Sequence, residues 1–287
     1  MLRITYVSFP GLGIGEFKLD SVAFRIFGWP IAWYGIIITT GIVLATLYVL
    51  YRAKQEGVKS DDILDLGIYT VLFAVLGARA YYVLTSLNQF DSFWDIFKIW
   101  NGGLAIYGGI IAGALTVYIF CRRKKKSFYL FADMITPAVM LGQVIGRWGN
   151  FMNGEAHGGP TTLFCRMGLR FGEYGTTVYY HPTFIYESIW NLIGFVLINI
   201  FYKKKRYNGQ VALFYFTWYG FGRMFIEQLR TDSLYLFGSS YPMWYLKISF
   251  LVGLFSFLIF GSILVRNLIK KTVRPTAFNS LSIEENN

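Results

Sequence analysis

Residues 122–155 read RRKKKSFYLFADMITPAVMLGQVIGRWGNFMNGE. Five basic residues open the stretch. An apolar run over 128–146 follows, about the 20 residues that a helix needs to cross hydrocarbon. The far end turns polar again, with Arg147, Asn150, Asn153 and Glu155. A basic flank, a greasy run and a charged far end describe a membrane span with an expensive outer rim. Ionisable groups at such a place mark a site of function by default.

Working outward, the same pattern repeats. The 287 residues are 55% hydrophobic and only 15% charged, against roughly 25% charged in soluble domains. Mean hydropathy is +0.44. Seven apolar runs are legible, at 31–51, 63–87, 103–121, 128–146, 183–202, 210–228 and 243–265. They are continuous rather than alternating, so helices are expected and a closed barrel is not. The expected fold is an all-α polytopic membrane protein of about seven transmembrane helices. One integral membrane domain is expected over 1–274, with a disordered polar tail over 275–287.

The net charge of +11 is clustered at Arg52/Lys54/Lys59, Arg122–Lys126, Lys203–Arg206 and Arg266–Arg274. Each cluster follows an odd-numbered run, which is what cytoplasmic loops carry. Nucleic acid is therefore not expected as a partner. The N-terminus is placed outside and the C-terminus inside. The polar segment 147–182 becomes a small outward-facing head, to which the first 30 residues can add. Residues 91–99 read as an amphipathic interfacial segment. The first long apolar run begins only near Ile31, too late for a cleavable signal peptide. Cys121 and Cys165 fall on opposite sides and are not expected to pair.

The informative residues are polar groups set in greasy sequence: Tyr34, Arg79, Tyr107, Asp133, Gln143, Arg147, His181, Glu187, Arg223, Glu227, Arg230 and Asp232. In this topology Arg79, Arg147 and Arg223 fall in the outer half of the bilayer. The arginine fork suits phosphate or carboxylate, so a cavity that takes a phospholipid headgroup is expected. Arg223–Glu227 and Arg230–Asp232 have a second reading as structural ion pairs, the first at i,i+4 spacing. Five glycines at 102, 103, 108, 109 and 113 allow close helix packing or a ligand-lined backbone. Cys/His/carboxylate spacing offers no metal site. There is no nucleophile elbow and no phosphate loop, and no cofactor is expected. With no evident nucleophile of its own, an enzyme of this kind would take one from its substrate. A lipid transporter, the competing reading, would show internal repeats, and none is visible.

GRWGNFMNGEAHG (146–158) resembles the signature of the prolipoprotein diacylglyceryl transferases. WYG (33–35), GARAYYV (77–83), WNGGLAIYGG (100–109), HPTFIYE (181–187) and GRMFIEQLRTD (222–232) match in the same order. The resemblance covers nearly the whole chain. It implies transfer of the sn-1,2-diacylglyceryl group of phosphatidylglycerol to the lipobox cysteine of a prolipoprotein signal peptide. The product is a thioether, and glycerol phosphate leaves. It also implies a multi-pass protein of the bacterial cytoplasmic membrane with its site toward the outer leaflet.

By resemblance Arg147 binds the headgroup, and Arg223 holds the phosphate or its leaving form. Asn150 and Asn153 orient the headgroup, and Glu155 fixes Arg147 or the local turn. Gly158 shapes the following loop, and Tyr34 lines the site. Arg79, His181, Glu187 and Glu227 complete the substrate-binding set. Many family members carry histidine, a candidate base for the thiol, where this chain has Tyr107. A phenol near pKa ~10 is a weaker base. Tyr107 is thus a tuned phenolate, a structural residue, or a bystander to activation from elsewhere.

Overall fold

The computed structural model describes residues 4–87, 90, 92–235 and 247–278. Among them stand seven long helices: α1 (Trp33–Gln55), α2 (Ser60–Thr85), α3 (Ile106–Arg123), α4 (Phe128–Met152), α5 (Thr183–Phe201), α6 (Gln210–Leu229) and α7 (Ile248–Ile269). Five of them, α1, α2, α4, α5 and α7, are long and apolar enough to cross a membrane. Their faces are largely uncovered; only 6% of the apolar window of α7 is buried. A helix that leaves such a surface open needs a lipid solvent.

The chain divides into two compact units, Met1–Ala45 with Thr136–Asn287, and Thr46–Ile135. In the first unit, strands from the 147–182 segment and from the N-terminus form a β-sheet, which corrects the expectation of an all-α chain. Strands β1 (Ile4–Phe9), β2 (Ile14–Asp20), β5 (Met167–Phe171) and β6 (Val178–Tyr180) make one antiparallel sheet in the order β2-β1-β5-β6. Strands β3 (Val22–Ile26) and β4 (Trp29–Ala32) make a separate hairpin that leads into α1. Thr5, Val7 and Phe9 alternate inward on β1, as a period of two requires. Val7, Phe9, Leu19, Met167, Leu169 and Phe184 are buried together, with Phe151 and Met152 packed against them. The sheet thus sits on the last turn of α4 and the first turn of α5.

Helices α5 and α6 are clasped by two tryptophans. Trp190 and Trp218 stack at 4.2 Å, and each indole N–H donates to the other's backbone carbonyl at 3.0 Å. Residues 275–278, expected to be disordered, are partly packed. Thr276 is buried, and Phe278 lies edge-on to Tyr202 at 6.1 Å. The remainder of the expected tail, and residues 243–246 of the seventh expected span, lie outside the described residues.

In the second unit, α2 and α3 cross with their backbones almost touching. A Cβ added at Gly108 would lie 2.3 Å from the Gly77 carbonyl oxygen, so neither position tolerates a side chain. Gly108 therefore follows the close-packing reading. Gly102 and Gly103 do not belong to the helix; at φ of 88° and 75° they form the loop before it. The interfacial segment expected over 91–99 is a 3-10 turn at Phe93–Phe97, with Phe93, Trp94 and Phe97 exposed.

Candidate active site: a carboxylate shared by two arginines

Helix α4 does not stop at residue 146. It continues to Met152 and carries residues 146–152 of the GRWGNFMNG motif as two adjacent stripes. Residues three apart share a helix face. On one stripe Trp148 and Phe151 face α5: Phe151 stacks on Phe184 at 4.6 Å, and the Trp148 indole donates to Ser188 Oγ at 3.2 Å. Their packing fixes the rotation of the last turn. The neighbouring stripe then presents Arg147 and Asn150.

Arg147 Nη2 donates to Glu187 Oε1 at 2.7 Å, and Nη1 donates to Asn150 Oδ1 at 3.2 Å. Glu187, on α5, is 2% exposed. Its second oxygen accepts from Arg223 Nη1 of α6 at 2.8 Å. Arg223 Nη2 also pairs with Glu227 Oε2 at 2.7 Å, one turn further along α6. One carboxylate therefore joins three helices, and an unbroken polar chain runs Glu227–Arg223–Glu187–Arg147–Asn150–Glu155. The two cations and two buried carboxylates balance in charge, as buried ions must. An arginine has five N–H donors, and Glu187 and Asn150 engage two of those on Arg147.

Glu155 accepts from Asn150 Nδ2 at 3.0 Å and from Asn153 Nδ2 at 3.2 Å. It fixes the turn and reaches Arg147 only through Asn150. The partner of Arg147 is instead 40 residues away in sequence. Gly158 is a backbone junction. Its N–H donates to the His181 carbonyl at 2.8 Å, and an added Cβ would meet His181 and the Leu229 carbonyl. Thus α5's entry and α6's exit are tied to the loop after the motif. The His181 ring faces the Tyr186 hydroxyl at 3.4 Å, which in turn meets Cys165 Sγ at 3.1 Å. The Tyr34 ring lies against Gly149, beside Asn150.

Just beyond α6, Arg230 grips Asp232 through Nε at 2.9 Å and Nη2 at 2.7 Å. Burial works to raise the Asp232 carboxyl, but the Arg230 bonds outweigh it and hold the group below the usual carboxylate range. Lys247 was not among the expected site residues. It is buried, and its ammonium donates to the Glu227 carbonyl at 2.9 Å and the Arg230 carbonyl at 2.8 Å. A cation on the last carbonyls of a helix complements the dipole there. It anchors the end of α6 that carries Arg223 and Glu227. Its only sequence signal is a lone lysine opening an apolar run.

Arg79 and Tyr107 belong to the second unit. The Arg79 guanidinium is spent on backbone: Nε donates to the Ile96 carbonyl at 2.7 Å and Nη2 to that of Asp95 at 2.6 Å, while Nη1 reaches those of Gly102 at 2.8 Å and Gly103 at 3.1 Å. Tyr107 is half-buried in the first turn of α3.

Apolar helices joined by a guanidinium–carboxylate network define a helical membrane protein. The chain matches the family described as "Prolipoprotein diacylglyceryl transferase" over residues 21–264. It is 49% identical over 223 residues to phosphatidylglycerol–prolipoprotein diacylglyceryl transferase 1 of Clostridium perfringens, covering 76% of this chain and 85% of that one. It is 43% identical over 230 residues to the phosphatidylglycerol–prolipoprotein diacylglyceryl transferase of Listeria welshimeri, covering 78% and 83%. The Streptococcus pneumoniae protein of that name is 44% identical over 231 residues, covering 79% and 88%. The chain belongs to the prolipoprotein diacylglyceryl transferase family, a family of membrane transferases.

Proposed function

We propose that this chain transfers the sn-1,2-diacylglyceryl group of phosphatidylglycerol to the lipobox cysteine of prolipoproteins, the first step of bacterial lipoprotein maturation. The observation that supports this reading best is the shared carboxylate. Glu187 holds Arg147 and Arg223 side by side at 2.7 and 2.8 Å, with donors of Arg147 left over.

In this reading the headgroup phosphate lies on the Arg147–Arg223 pair, and Asn150 and Asn153 orient its glycerol. The cysteine sulfur attacks the glycerol carbon of the diacylglyceryl group, and the bond from that carbon to the phosphate oxygen breaks. Glycerol phosphate leaves with the electron pair. Charge grows on the departing phosphate, where fixed guanidinium donors lower the barrier without reorganising. The thiol must lose its proton, and a thiol is already a few per cent ionised near neutrality. Tyr107 is the candidate acceptor to be tested. The proposed topology has seven spans, adding α3 and α6 to the other five. It places the N-terminus outside, the C-terminus in the cytoplasm and the site at the outer leaflet of the cytoplasmic membrane.

The decisive experiment combines purified protein, phosphatidylglycerol vesicles and a lipobox peptide. The peptide is expected to gain the mass of one diacylglyceryl group. Unchanged peptide mass with folded protein would overturn the proposal.

A further inference from the structure

Helices α2 and α3 enclose a groove of about 910 Å³, wholly within the second unit. Phe73 and Leu76 of α2 and Leu115 and Ile119 of α3 line its walls, and all four are exposed. Gly77 and Ala112, at the close helix crossing, form its far end. Asp65, Arg123 and Lys124 form its near end, beside the 122–126 basic cluster.

The charges at the near end are unequal in their engagement. Lys124 is held by Asp62 at 3.1 Å and by Asp65 at 3.8 Å, and Lys126 adds to Asp62 at 3.7 Å. Those bonds raise the Lys124 ammonium above its usual range. Among the described residues no carboxylate pairs with Arg123. The groove therefore joins an apolar trough to a guanidinium that carries no counter-charge from the described residues. At 1.5 Å per residue, the stretch from Ala112 to Lys124 measures roughly 18 Å. One leaflet of hydrocarbon is about 15 Å, half of the ~30 Å core. An acyl chain lying in the trough would place its headgroup at Arg123.

We propose that this groove is a binding site for an anionic phospholipid of the cytoplasmic leaflet, separate from the transfer site. A signal peptide could fill the same trough by hydrophobicity, but its basic n-region would meet Arg122–Lys126. The arrangement recurs in the first unit. A groove of about 550 Å³ along α7 beside Thr217 ends at Arg266 and Lys270. The inference rests on α2 and α3 spanning the membrane and not on the reaction.

Photoactivatable phosphatidic acid, with a diazirine in its acyl chain, tests the site in nanodiscs of phosphatidylcholine. Phosphatidic acid lacks the headgroup glycerol, so capture does not depend on turnover. Peptides containing Leu76 and Leu115–Ile119 are expected to be labelled, and labelled more strongly than by the matching phosphatidylcholine probe. Arg123→Gln is expected to cut labelling about fivefold with its melting temperature unchanged, while Arg147→Ala leaves labelling intact. Equal labelling by phosphatidylcholine, or no loss in Arg123→Gln, would overturn the proposal. So would loss in Arg147→Ala, because the probe would then sit in the transfer site.

Discussion

Arg147 and Arg79 are both arginines of apolar helices, and in sequence both read as headgroup ligands. Arg79 is 8% exposed and gives its donors to four backbone carbonyls, fastening the 95–103 loop. Arg147 leans on a carboxylate that Arg223 also holds, and 19% of its side chain is open. Neutral carbonyls saturate a guanidinium without answering its charge, and here they use its geometry up. A shared carboxylate fixes two guanidiniums with one oxygen each and leaves donors over on Arg147. The fastened arginine maintains a loop; the shared pair is the one the proposed function assigns to the phosphate.

The sharpest way to break that contrast is Arg147→Ala. Transfer is expected to fall about 10²–10³-fold, the usual effect of losing one donor to developing charge. Arg147→Lys should recover little, because a point charge does not replace the fork. Near-normal single-turnover rates in Arg147→Ala would remove it from the site. Next comes Glu187→Ala, which leaves two guanidiniums facing each other without their common partner. Breaking a buried pair costs about 3–5 kcal/mol, so thermal unfolding in detergent should shift down markedly. An unchanged melting curve would show that Glu187 is no keystone.

Arg79→Ala should be milder, about 1–3 kcal/mol for carbonyls left without donors. It should show as faster amide exchange across 95–103. Lost transfer with unchanged exchange in that loop would restore Arg79 to the substrate. Tyr107→Phe separates phenol chemistry from packing, and a rate–pH profile identical to that of the parent would end the phenolate-base reading. The smallest effect is expected in the head, where Arg170 on β5 bonds Glu16 on β2. That bond holds the Glu16 carboxyl below its ordinary value. A depressed carboxyl contributes its stability above the unfolded pKa and loses it as pH falls through the folded one. Amide protection in β2, taken relative to intrinsic exchange at each pH, should therefore fall only below about pH 4 and stay flat between pH 5 and 8.

Much of this was legible along the chain. The expected span at 128–146 starts where α4 starts, because Ser127 and the basic run end the preceding segment. The expected end was six residues short, since the apolar run gives way to polar residues from Arg147 on. Phe151 and Trp148, whose rings pack on Phe184 of α5, keep the helix going. Arg147, Arg223, Asn150 and Glu155, all expected at the site, lie in one hydrogen-bonded network, but Glu187 was placed with the ligands rather than between the arginines. The strands were missed because β1 and β5 lie more than 150 residues apart, and neither shows a long alternating run.

By itself the sequence determined what depends on solvent and on nearest neighbours. The hydrophobic runs demand lipid, the basic clusters follow alternate helices, and the ordered motifs carry the family. Only the tertiary structure decided which carboxylate serves which arginine. Glu187 meets Arg147 and Arg223 across 40 and 36 residues. Those distances are set by how α4, α5 and α6 are rotated on their axes. The rotation comes from the packing of Trp148, Phe151, Trp190 and Trp218, which no local pattern encodes.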